Sequence, residues 1–144
     1  MTIIQCLHEF FLDCPLMTDN RINVDYLPED ARDGVEFSID ATPGADTLTP
    51  HLDGGGMCQY QFVLRSVNDY GPDTLQNIAN SGFFDGLMAW MRTQSRKRQL
   101  PQMPEGMQPL RIRALSTAYL FQMGADVGKY QIQCQLDYYR KGER

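Results

Sequence analysis

The chain is poor in the residues that usually carry chemistry. It has two histidines, His8 and His51, and four cysteines, Cys6, Cys14, Cys58 and Cys134, with no CxxC pair and no zinc-like spacing. A Cys and His nucleophilic pair can be drawn from Cys6 or Cys58 with either histidine, but no spacing supports one. His8 reads as an ordinary helix residue and His51 as an exposed loop residue. No apolar run approaches the roughly 20 residues that span a bilayer. The opening TIIQCLHEFFLDCPL has neither a basic leader nor a small-residue cleavage site. The expectation is a soluble, unexported protein whose cysteines stay reduced and act as small hydrophobes.

Bases are scarce in one half. Residues 1–56 hold eleven acids and only Arg21 and Arg32, whereas residues 57–144 hold eleven bases and seven acids. A net charge of −5 argues against a general nucleic-acid binder, because phosphate contact needs clustered Lys and Arg. The asymmetry has two readings: a surface for a partner or for self-association, or opposite charges that meet within one monomer.

With 42% hydrophobic and 22% charged residues, the 144-residue chain has the make-up of a single globular domain, residues 1–144. Its period-two patterns are long. From Lys129 to Asp137, Tyr130, Ile132, Cys134 and Leu136 alternate with Gln131, Gln133 and Gln135; in MCQYQFVLRSVND, Tyr60, Phe62 and Leu64 alternate with Gln59, Gln61 and Arg65. GVEFSIDATPG sets Val35, Phe37 and Ile39 against Glu36, Ser38 and Asp40, and INVDYL is a candidate brief strand. Arg111 to Phe121 reads as one strand that changes phase near Leu115, as a bulge would make it do, with MGADVGK as the hairpin to the final strand.

Helical spacing appears twice. Residues 2–14 place Ile3, Leu7, Phe10, Phe11 and Cys14 on one face, with Thr2 as cap and Pro15 as stop. TLQNIANSGFFDGLMAWMRTQSRKRQLP spaces Phe84, Leu87, Met88 and Met91 likewise, with Asp73 as a cap, Ser81 as the cap of a second start, and Pro101 and Pro104 beyond its end. Trp90 reads as core. The order of elements predicts an α+β fold: an antiparallel sheet of about four main strands with two or more helices packed on one face and glutamines on the other.

Two segments invite a ligand reading. HLDGGG offers backbone amides to an anion, but no Lys and Ser/Thr follow the glycines and a strand follows where a phosphate loop needs a helix, so a flexible surface loop is expected. Asp53 beside three glycines lacks further ligand side chains for a cation. No catalytic, cofactor or metal residue is therefore assigned. The strongest charge feature is SRKR with Arg92 one turn earlier. Arg92, Arg96, Lys97 and Arg98, joined by Arg111 and Arg113, are the interface candidates. Three readings stand for the basic run: complementing the helix dipole, meeting an acidic protein, or meeting nucleic acid.

FFDGLMAWMRTQSRKRQLPQMPEG followed by LSTAYLFQMGADVGKYQIQCQLDYYR resembles a family of small proteins of long-tailed phages and prophages of Gram-positive bacteria, the minor capsid or tail terminator proteins. The resemblance rests on an aromatic helix ending in a basic Leu-Pro segment, on Tyr119, Leu120 and Phe121, on an acidic hairpin, and on the closing run from Lys129 to Tyr139. It covers about residues 58–141. The resemblance implies a tail-terminator-like fold and a non-enzymatic assembly protein without cofactors, which caps the tail tube as a hexameric ring and helps join tail to head. Its implied partners are further copies of itself and the tail-tube and head-connector proteins, with no membrane and no sequence-specific nucleic acid. The implied location is the host bacterial cytoplasm during assembly and then the virion tail. The alternative is another head-tail joining, tail completion or tail-tube-like protein of a prophage.

Overall fold

Two strands of fourteen residues, β4 (Gly56–Asp69) and β7 (Val127–Arg140), lie antiparallel along their whole length in the computed structural model, from Gly56 opposite Arg140 to Asp69 opposite Val127. The structure describes residues 2–17, 21–29, 36–43, 47–52, 54–69, 74–123 and 127–142. Every other strand hangs on this central pair. On the outer edge of β4, β2 (Glu36–Ala41) and β3 (Thr47–Pro50) pair one after the other, and β1 (Arg21–Val24) adds in parallel to β2. On the outer edge of β7, β5 (Met107–Ala114) and β6 (Tyr119–Met123) do the same.

The predicted antiparallel sheet of about four main strands, with two or more helices on one face, is therefore corrected to a seven-stranded mixed sheet with two α-helices among the described residues. Three local causes account for the difference. The candidate strand INVDYL, too short for a clear period, becomes β1 and pairs in parallel. Residues 47–50, which no sequence pattern assigned to a strand, form β3. The single bulged strand expected at Arg111–Phe121 is two strands broken at residues 115–118. In that break the Leu115 amide donates to the Gln133 carbonyl, and the Ser116 hydroxyl accepts from the Gln133 amide. The break lets both pieces pair with β7 in tandem.

Helix α1 (Ile3–Leu12) begins as its sequence predicts. Thr2 Oγ1 accepts from the Gln5 amide at 3.3 Å, and Gln5 Oε1 accepts from the Thr2 amide at 2.7 Å, closing a capping box. A short 3₁₀ turn, Pro15–Met17, follows. Helix α2 (Thr74–Lys97) runs unbroken through Ser81, so no second start exists there. The Asp73 cap and the hairpin tip at residues 124–126 lie outside the described residues.

The core joins Leu7 and Phe11 of α1 and Phe84, Leu87 and Met91 of α2 to the apolar side of the sheet: Phe37, Ile39, Phe62, Leu64, Ile112, Ile132 and Leu136. These side chains are fully buried, each worth about 1.5–3 kcal/mol of transfer free energy. Trp90 is half-buried, its ring 4.9 Å from Phe10 and 5.8 Å from Phe11. One helix side chain also holds each end of the strand path. His8 Nε2 donates to the Ile22 carbonyl of β1 at 2.9 Å, and Ser95 of α2 bonds the backbone of Ile112 in β5. His8 is thus an edge clasp.

Two of the three glycines of HLDGGG, Gly55 and Gly56, serve close approach. A Cβ on Gly55 would lie 2.3 Å from the Arg140 carbonyl oxygen, and one on Gly56 would lie 2.4 Å from that of Thr49. Only glycine lets β4 start with two other backbones so near.

Candidate interaction site

Helix α2 ends in a Schellman stop. The Arg98 amide donates to the Ser95 carbonyl at 3.2 Å and the Gln99 amide to the Gln94 carbonyl at 2.9 Å. Arg98 occupies the position where glycine is usual, with φ of 61° in the left-handed region. Arg92, Arg96, Lys97 and Arg98 are all exposed on this end, and none makes an ion pair among the described residues. A helix C-terminus carries the equivalent of about half a negative charge. Four cations exceed that severalfold, so dipole complementation accounts for only part of the basic run.

Arg111 and Arg113 lie elsewhere. They flank Ile112, whose side chain enters the core and whose backbone Ser95 holds, so both arginines point to the opposite face of the sheet. The six candidates therefore divide into four on the helix end and two on the sheet's polar face.

On that polar face, cross-strand register builds a network. Arg65 donates to Asp40 at 2.8 Å and stands over the Phe121 ring at 4.9 Å, while the Ser38 hydroxyl donates to Asp40 at 2.5 Å. Arg111 Nε donates to Asp137 Oδ2 at 2.7 Å, Gln135 Nε2 donates to Asp137 Oδ1 at 2.6 Å, and Gln61 donates to Gln135 at 3.1 Å. Arg113 Nε lies 3.6 Å from Asp137 Oδ2, beyond hydrogen-bond reach, and that buried nitrogen has no other partner. Asp137 is 13% exposed, whereas the side chains of Arg111 and Arg113 are 56% and 41% exposed. Beside them opens a groove of about 430 Å³ walled by Met57, Leu110 and the aliphatic parts of both arginines.

Asp40, Arg65 and Asp137 were not singled out from the sequence. The signal was present in the polar phase of three strands, but which acid meets which base depends on register, and composition does not carry register.

The remaining reactive groups are quiet. Burial raises the Cys6, Cys14 and Cys134 thiols above their ordinary pKa, so they stay protonated and weakly nucleophilic at neutral pH. Cys58 is also buried, its thiol donating to the Gly56 carbonyl at 3.6 Å. His51 is exposed and lies against the Tyr139 ring at 5.7 Å. Among the described residues no three His, Cys, Asp or Glu side chains gather to hold a metal ion, and Asp53 falls outside them. No helix among the described residues is long and apolar enough to cross a membrane.

No family model matches this chain, and no curated protein matches it either.

Proposed function

We propose that the chain is a non-enzymatic virion-assembly protein, a tail terminator that caps the tail tube as a ring and helps join tail to head. The observation that carries the reading is the basic end of α2. Four exposed cations without ion pairs among the described residues stand on a helix anchored in the core through Phe84, Leu87 and Met91, in a chain whose first 56 residues hold eleven acids against two bases. A rigid positive patch and an acidic counterpart suit the heterologous contacts that close rings, in which one patch of each subunit meets a different patch of the next. The resemblance to tail terminator proteins adds support, because its aromatic, basic-ended helix corresponds to α2 and its closing run to β7.

On this reading the partners are further copies of the chain, the tail tube and the head connector. The protein acts in the host bacterial cytoplasm and then in the virion tail. Its mechanism is steric: a ring on the tube end removes the surface for further growth. The test is a variant with Arg96, Lys97 and Arg98 all changed to Glu, assayed for tail assembly by electron microscopy alongside circular dichroism. The expected result is a folded protein that leaves tails unterminated. Normal tails would overturn the reading of the basic patch.

A further inference from the structure

The second half of a subunit contact can be sought where a charge sits on the wrong end of a helix. Helix α1 has no base in its last turn and instead carries Glu9 and Asp13 there, beside the negative end of its own dipole. Both acids are exposed and neither has an ion pair among the described residues. Leu12, one turn beyond Glu9, is 47% exposed. Glu9, Leu12 and the C-cap Asp13 follow i, i+3, i+4 spacing, so acid and aliphatic side chains form one short stripe at the end of α1.

The polar face of the sheet offers the complement. Around Asp137 two guanidinium groups share one carboxylate, so one positive charge is left over on two partly exposed arginine side chains. The adjoining groove is walled by Met57 and Leu110. Its volume of about 430 Å³ falls in the range of roughly 300–1,000 Å³ typical of clefts that enclose a ligand group. The basic end of α2 would satisfy the acids alone, since its exposed residues from Arg96 to Gln99 are all polar or charged. The groove on β5 satisfies acid and leucine together.

We infer that the groove at Arg111, Arg113, Met57 and Leu110 receives the acidic, leucine-bearing end of α1 from a second copy of the chain. The inference rests on the ring reading, to which it adds a subunit contact distinct from the basic end of α2. A carboxylate from Glu9 or Asp13 pairs with the surplus positive charge of Arg111 and Arg113, while Leu12 enters the groove. The contact is heterologous, because the groove and the stripe are different patches of one subunit.

Mixing two variants tests this. Arg113→Glu removes the groove's charge but keeps the stripe; Glu9→Lys with Asp13→Lys removes the stripe but keeps the groove. Light scattering across a concentration series should find each variant monomeric where the wild type assembles. An equimolar mixture should assemble again, because the intact stripe of one variant meets the intact groove of the other and the lysine-bearing stripe meets the glutamate-bearing groove. Arg113→Gln, which adds no charge beside Asp137, should fold normally and weaken association on the order of tenfold. The Lys double variant should melt no lower than wild type, since its charges complement the helix dipole. Wild-type assembly by either charge-reversed variant, a mixture that stays monomeric, or a wild type that is monomeric at every concentration would each overturn the inference. Binding of the wild type to purified tail tubes, read by negative-stain imaging, judges the terminator reading independently.

Discussion

The hydroxyl of Ser95 makes a two-way bridge to the backbone of Ile112, donating to its carbonyl at 2.7 Å and accepting from its amide at 2.9 Å. One side chain of α2 thus does for the outer edge of β5 what a further strand would do, at a point where the Ile112 side chain is fully buried. An edge strand occupied in this way is a poor template for unwanted pairing.

Ser95→Ala should leave both of those backbone groups without partners. We expect a loss of about 2 kcal/mol, seen as a melting temperature several degrees lower. A melt unchanged within error would mean that water replaces the hydroxyl at no cost.

Arg98→Gly should act in the other direction. Arginine at φ of 61° carries a left-handed penalty of about 1–2 kcal/mol, part of which glycine gives back through its freer unfolded chain. A net gain of about 0.5–1 kcal/mol is expected in urea denaturation; a loss would show that the arginine stem contributes packing.

Gly55→Ala should destabilise strongly although it adds one methyl group. The new Cβ meets backbone atoms of Arg140 and Gly142 at 2.3 and 2.5 Å, which cannot rotate away as a side chain would. A cost of about 3 kcal/mol is expected by thermal melting. Gly82→Ala, where an added Cβ has open space, is the control and should be neutral or better.

The Cys134 thiol gives a pH dependence. Burial raises its folded-state pKa, so the folded chain holds the proton more tightly than the unfolded chain does. Its contribution is complete below the ordinary thiol pKa near 8.5 and falls as pH rises above it, by up to about 1.4 kcal/mol per pH unit. Urea midpoints measured from pH 7 to 10 should decline, and Cys134→Ala should flatten that decline.

Long alternation was legible because each residue of β4 and β7 repeats the same signal, and the Thr2 cap was legible because capping is local. The four-residue strand β3 was not, since so few side chains define no period, and β1 was legible only as the brief candidate INVDYL. The parallel pairing of β1 depends on the path of the chain between Val24 and Glu36, which no local pattern encodes. The candidate site divided along the same line. Arg92, Arg96, Lys97 and Arg98 stand together because a helix end keeps sequence neighbours close, whereas the partnership of Arg111 with Asp137 had to await the register of two strands distant in sequence.

The place of β7 also governs the order in which the molecule can be completed during synthesis. Strands β1 to β4 emerge from the ribosome first and can pair among themselves, but β5 and β6 have no strand to join until β7 has been made. A nascent chain halted before Val127 would carry half a sheet with the long edge of β4 unpaired, a species open to capture by chaperones or by its own kind.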